Sequence, residues 1–373
     1  MGIIGSHRDS VVTLPENPSQ MLFKINSRAL RFPQWIRAKR KSPRDFDSYF
    51  DSFLLSRDIG DGRRRHYEVL RRMIHRYESF CRLSHRQKSC RFNIRSADRA
   101  FIESFSDYVR NEYLYVAEYP EILKENPEQR KIVPRGKNYL NALLKQLRAF
   151  FRWARESRIV EVSPFEGFKM PSEQYGTPVF LSIDEVLRIY HADLSEDHRL
   201  SVQKDIFVFQ CNVGCRVGDL VRLKKSDVVN GSLEYIPTKT IKENTRTVVV
   251  PLNRVAREIV QRYSSYPGDR LLPFVSPASY NRYIKKLLKV SGVTYLVTRL
   301  DTLSRTERKQ PFNEVASSHL ARRTFIGNLY RQVRDPDLIS EMTGHVVGSQ
   351  AFTRYRGIDV QMKRELVAIL DEK

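Results

Sequence analysis

The sequence is short of cysteine and of carboxylates, and it holds no long apolar run. Four cysteines in 373 residues, Cys81, Cys90, Cys211 and Cys215, are too few for a disulfide framework, and neither pair has zinc-ligand spacing with further ligands nearby. They read as reduced thiols. No stretch approaches the roughly 20 consecutive apolar residues that cross a bilayer, and no basic start with an apolar middle marks a signal peptide. An intracellular protein without membrane association is therefore expected. The deficit of acid is the larger clue: 43 Asp+Glu stand against 65 Lys+Arg, a formal charge of +22. Such an excess attracts polyanions, nucleic acid foremost.

What is present suits a soluble globular chain. Hydrophobic residues make up 41% and charged residues 29%, too apolar for disorder, and the length suggests two compact domains with some additional chain. Residues 1–44 mix Pro, Ser and Asn with the basic run Arg37, Lys39, Arg40, Lys41 and Arg44, and read as an N-terminal arm or small extension. Residues 45–165 have helical periodicity. Its clearest instance is Leu140, Leu143, Leu144, Leu147, Phe151 and Ala154, a stripe flanked by Lys145, Arg148, Arg152 and Arg155. Aromatic residues at this spacing are expected in the core rather than as a base-stacking platform. Arg63, Arg64 and Arg65 add a second basic cluster, and with Lys145, Arg148 and Arg152 they are the candidate DNA-binding residues of this unit.

Residues 166–179 contain two Gly and two Pro without periodicity and read as a linker. The unit at 180–373 opens on a capping box, Ser182 with Glu185, and a staple of Leu181 with Val186. Ile206–Phe209 predicts a buried helix. Leu233–Lys239 and Thr245–Leu252 predict a hairpin around Lys242-Glu243-Asn244. The remainder reads as helical: Phe325, Ile326, Leu329, Tyr330 and Val333 share a face, Asp335-Pro336 starts a short helix that Gly344 ends, and Asp359 caps a last one.

Four separated segments of this unit carry polar groups suited to chemistry. They are Gly214-Cys215-Arg216-Val217-Gly218-Asp219-Leu220, the hairpin with Lys239, Ser318-His319-Leu320-Ala321-Arg322, and Thr343-Gly344-His345 followed by Tyr355. Singly, each has a plain structural explanation: a solvated arginine, a surface lysine, a capping histidine, a core tyrosine. Together, in order and spacing, they resemble the tyrosine recombinase (phage integrase) family.

The resemblance covers roughly residues 180–373. It implies a mainly α fold with a small antiparallel β-sheet, in which a helical core-binding domain precedes a mixed α/β catalytic domain. It implies Arg216 as the first arginine with Asp219 helping to hold it, Lys239 as the hairpin lysine, His319 and Arg322 as the His-x-x-Arg pair, His345 as the next histidine and Tyr355 as the nucleophile. Lys242 is the alternative for the lysine, and Tyr330, the other tyrosine near the motif, is expected in the core. The implied activity is site-specific cleavage and rejoining of DNA through a 3′-phosphotyrosyl link, with no metal, cofactor or ATP. The chemistry is coherent: attack on a phosphodiester builds negative charge, and two arginine forks can meet it. The implied partners are double-stranded recombination sites and a homotetramer assembled on DNA from free monomers. Accessory DNA-bending or directionality factors and a cytoplasmic, nucleoid-associated place in a bacterium follow from the same resemblance.

Three departures from the family pattern, Cys215 and Val217 beside Arg216 and Thr343 before Gly344-His345, are expected to pack rather than react. A phage or mobile-element integrase is the favoured subtype. A type IB topoisomerase or telomere resolvase, and a noncatalytic regulator on the same scaffold, stay open as alternatives.

Overall fold

A computed structural model of the chain describes residues 46–345 apart from 88, 174, 177, 239–245, 302, 304, 305 and 334. These residues form two compact units that divide at residue 175. The N-terminal arm, the tip of the hairpin and the segment with Tyr355 and Asp359 lie outside the described residues.

The first unit is helical: α1 (Phe46–Leu55), α2 (Asp61–Ser84), α3 (Arg99–Glu118), α4 (Glu121–Glu125) and α5 (Lys137–Glu156). Its periodicity has the expected cause. Leu140, Leu143, Leu144, Leu147, Phe151 and Ala154 are all buried on one face of α5, and Phe150 joins them. Phe150 meets Phe46, Phe50 and Phe53 of α1 with ring centroids 5.7, 5.4 and 5.6 Å apart, so the aromatics build the core. The buried Arg76 of α2 donates to the equally buried Glu112 of α3 at 2.6 Å, which pairs an enclosed charge with its opposite.

In the second unit, α6 (Ile183–His191) begins at the Ser182/Glu185 capping box, with both reciprocal bonds in place and Leu181 and Val186 in the same core. Next come α7 (His198–Val213), α8 (Val217–Leu220), and the strands β1 (Val228–Val229), β2 (Ser232–Tyr235) and β3 (Val248–Pro251). After these lie α9 (Arg254–Arg262), α10 (Pro277–Val290), β4 (Leu296–Leu300), β5 (Glu307–Pro311), α11 (Phe312–Val315), α12 (Ser318–Val333) and α13 (Pro336–Thr343). Helix α7 is the centre: Ile206, Phe207, Val208 and Phe209 are all inaccessible, and α6, α9, α10 and α12 pack around it. A helix surrounded on every side needs no polar face, which is why Ile206–Phe209 shows a continuous apolar run. The strands β1-β2-β3 make one antiparallel sheet, with Tyr235 opposite Val248.

The structure corrects the sequence reading in three places. The residues after the hairpin are not all helical, since β4 and β5 form a second antiparallel pair, Leu296 opposite Pro311 and Leu300 opposite Glu307. Most of their side chains are exposed on both faces, so the strands carry no alternation of apolar and polar residues to reveal them. The strands of the first hairpin are shorter than expected, because Pro237 has no N–H to extend the ladder beyond Tyr235. Val333, counted with the buried face of α12, lies in its last turn and is 49% exposed.

All four cysteines are buried free thiols. Among the described residues no helix is long and apolar enough to cross a membrane.

Candidate active site

Arg216 emerges from a turn that the core holds firmly. Helix α7 ends at Gly214 in the left-handed conformation (φ 66°), and an added Cβ there would lie 2.3 Å from the Phe325 ring of α12. One residue on, the carbonyl of Cys215 accepts from the buried Gln210 amide at 3.0 Å, and Gln210 in turn accepts from the Tyr280 hydroxyl at 3.0 Å. The thiol of Cys215 is pushed up to about 12 by burial, so this neighbour of Arg216 packs, as expected. Arg216 itself caps α8 and is half-buried. Its Nη2 donates to the carbonyl of Gly344 at 3.2 Å, and its buried Nη1 has no hydrogen-bond partner among the described residues.

Arg322 reaches the same point from α12. It is 6% exposed, and it donates from Nη1 to the carbonyl of Gly214 at 2.8 Å and from Nη2 to that of Thr343 at 2.6 Å. The carbonyls around the two left-handed glycines therefore receive both guanidiniums: Gly214 binds Arg322, and Gly344 binds Arg216. Gly344 (φ 61°) ends α13, and it too is crowded, because a Cβ would meet Pro237 at 2.9 Å. His345 follows directly, with its backbone N–H on Ser340 at 3.1 Å and its ring nitrogens 3.1 and 3.2 Å from Nη2 of Arg322.

His319 stands in the first turn of α12, whose start is held by the side chain of Asn281 accepting from the Ser318 N–H at 2.7 Å. Desolvation, followed by the charges of Arg323, Arg322 and Arg216, lowers its pKa below the ordinary histidine value of 6.5. A neutral imidazole able to accept a proton near pH 7 is the result. Arg216, His319, Arg322 and His345 thus converge from three separate segments.

The buried Asp219 does not pair with Arg216 among the described residues. Its Oδ1 accepts from the backbone N–H of Thr238 at 2.9 Å, and the Thr238 hydroxyl accepts from Arg222 at 3.3 Å. It therefore anchors the chain one residue before Lys239. Lys239, Lys242 and Tyr355 lie outside the described residues. Tyr330 is in the core as expected, but it is not the only other tyrosine near the motif. Tyr235 of β2 feels both Arg322 and Arg216. Burial outweighs them and raises its pKa, which keeps it a neutral phenol. No sequence signal marks Tyr235, because only the fold carries β2 to the arginines. Among the described residues no group of His, Cys, Asp and Glu is placed to hold a metal ion.

In the first unit, Lys145, Arg148, Arg152 and Arg155 are exposed along α5 and line one groove with Ser163 and Glu166. Lys145 pairs with Glu173 and Arg152 reaches Glu156 at 4.0 Å, so the basic face is partly neutralised from within. Arg63, Arg64 and Arg65 occupy the first two turns of α2, close to a helix terminus that is already positive and where an anion would be favoured.

Comparison with known proteins settles the family. The sequence profile of the phage integrase family matches residues 179–362, a span that holds every residue of the site. The second unit belongs to the phage integrase family. The chain is 26% identical over 209 residues to the tyrosine recombinase XerC of Syntrophus aciditrophicus (strain SB), across 54% of its own length. The match spans 64% of the length of that relative. Among solved structures, the chain shares its fold with a lambda integrase dimer bound to a COC′ core site. The TM-score is 0.58 at 16% identity, over 85% of this chain and 97% of the other. It likewise shares it with a lambda integrase tetramer bound to a Holliday junction (TM-score 0.54, 17% identity, 86% and 83% covered).

Proposed function

We propose that the protein is a site-specific DNA recombinase that cuts and rejoins strands through a covalent phosphotyrosyl intermediate. One observation carries the reading: two arginines from different segments meet at paired glycine carbonyls, beside two histidines, within an integrase-family unit.

The roles follow from the chemistry of the groups. The phenolic oxygen of Tyr355 attacks phosphorus, the P–O5′ bond breaks, and the enzyme keeps the 3′ phosphate. A free tyrosine has a pKa near 10, so its proton needs an acceptor at neutral pH, and the neutral His319 provides one. Arg216 and Arg322 face the charge that grows on the nonbridging oxygens; the loss of one such donor typically costs roughly 100- to 1000-fold in rate. Each already uses some of its donors on backbone carbonyls, which sets the plane of the fork before a phosphate arrives. His345 gives a further hydrogen bond to the phosphate, and Lys239, or Lys242 from the same turn, protonates the departing 5′ oxygen. Because the tyrosyl ester stores the energy of the broken bond, a second 5′ hydroxyl can reseal the strand without ATP.

The partners are double-stranded recombination sites and three further copies of the chain, in the manner of the lambda integrase tetramer on a Holliday junction. The basic residues Arg63, Arg64, Arg65, Lys145, Arg148 and Arg152 supply phosphate contacts, with accessory DNA-bending factors directing the outcome. An integrase of a phage or mobile element acting in a bacterial cytoplasm is the setting that fits.

The test uses the full-length protein and a pool of nicked duplexes of randomised sequence. A denaturation-resistant protein–DNA adduct should form, vanish with Tyr355→Phe and survive Tyr235→Phe. An adduct that persists in the Tyr355 variant overturns the assignment.

A further inference from the structure

Thr343 is fully buried in the last turn of α13, and its hydroxyl sits between two kinds of partner. On one side are main-chain carbonyls, Ile339 at 2.7 Å and Ser340 at 3.4 Å. On the other is Nδ1 of His345 at 2.8 Å. A hydroxyl has one proton and a carbonyl has none, so at 2.7 Å the proton of Thr343 must lie on the line to Ile339. The oxygen can then only accept from His345, and Nδ1 must carry hydrogen.

We infer that the Thr343 hydroxyl is a positioning group that locks His345 in the Nδ1–H tautomer. This rests on the recombinase reading above and deepens it. With Nδ1–H committed to Thr343, Nε2 is the one ring nitrogen of the neutral form that can accept from Arg322 Nη2, which lies 3.1 Å from Nδ1 and 3.2 Å from Nε2, and the ring gives a phosphate oxygen a hydrogen bond through Nε2 once it is protonated. Thr343 also offers its own carbonyl to that same Nη2 at 2.6 Å. One residue therefore orients the histidine through its side chain and the arginine through its backbone. The sequence reading treated position 343 as packing. A leucine there would fill the space but leave the ring free to choose its tautomer, because it has no oxygen to receive Nδ1–H.

The full-length protein labelled with ¹⁵N-histidine tests this. His345 is assigned by the signal missing in His345→Gln, and its two ring nitrogens are read in the neutral form. The unsubstituted protein should show the proton on Nδ1. Thr343→Val keeps the volume and removes the hydroxyl, so the signal should move to the Nε2–H form or to a mixture, whereas Thr343→Ser should retain Nδ1–H. Adduct formation should fall roughly 10- to 100-fold in the valine variant, the range for removing a group that orients a functional histidine, and recover in the serine variant. A Thr343→Val spectrum still showing Nδ1–H overturns the inference. An unsubstituted protein that makes no adduct overturns the recombinase reading instead, while the spectrum still decides the tautomer.

Discussion

The backbone N–H of Thr238 donates to the buried carboxylate of Asp219 at 2.9 Å, so the chain leading into Lys239 is fastened to the short helix that Arg216 caps. Thr238, the residue before Lys239, and Arg216 are thereby coupled through one side chain. Asp219→Leu should lower the rate of adduct formation, and its effect should shrink when Lys239 is already alanine, since both changes then disable the same arm. A double-mutant cycle on single-turnover cleavage measures this; strictly additive effects would show that Asp219 acts elsewhere.

The two arginines should differ in what they cost. Arg322 is buried against two carbonyls, so Arg322→Ala leaves Gly214 and Thr343 with acceptors unsatisfied, at about 1–3 kcal/mol for each. Arg216 is half-buried with one such bond, and Arg216→Ala should lose roughly as much activity with a smaller loss of stability. Denaturant midpoints beside cleavage rates separate the two effects. Equal destabilisation would contradict the burial argument.

The pH dependence has a definite sign. His319 has a pKa held below 6.5 by desolvation and three arginines, so it stays neutral to more acid pH than a free histidine and loses its capacity to accept a proton only below that value. Cleavage rates should therefore fall off on the acid side below pH 6.5, and His319→Gln should remove that limb. The same shift means that the unfolded chain binds protons first, so this group's contribution to stability declines as pH drops from 6.5 toward the folded-state pKa. An acid limb centred above 6.5 would refute the assignment.

Gly214 combines a left-handed backbone with close approach to Phe325 and an acceptor for Arg322. Gly214→Ala should destabilise the protein by about 1–2 kcal/mol from the backbone alone, more with the clash, and should slow adduct formation by displacing Arg322. Thermal unfolding and single-turnover cleavage would both register it. Gly218→Ala, with open space around an added Cβ, is the matched control and should be close to silent.

Local rules were legible from residue order. The α5 stripe, the Ser182/Glu185 capping box, the Asp335-Pro336 start and the Gly344 stop of α13 each depend on neighbours within a few positions, and each stands in the structure as the sequence suggested. The mainly α fold and the spaced Arg, His-x-x-Arg and Gly-His motifs were equally open to reading. The β4–β5 pair was not, because strands exposed on both faces leave no period of two. Nor was the use of Asp219 for Thr238, the nearness of Tyr235 to the arginines, or the bond from His345 to Thr343. Residue order alone determined which groups are available and which helices carry them. The tertiary fold alone decided which carbonyl, hydroxyl or carboxylate each group meets, because those partners lie up to 128 positions apart in the chain and a hydrogen bond is made only at about 3 Å.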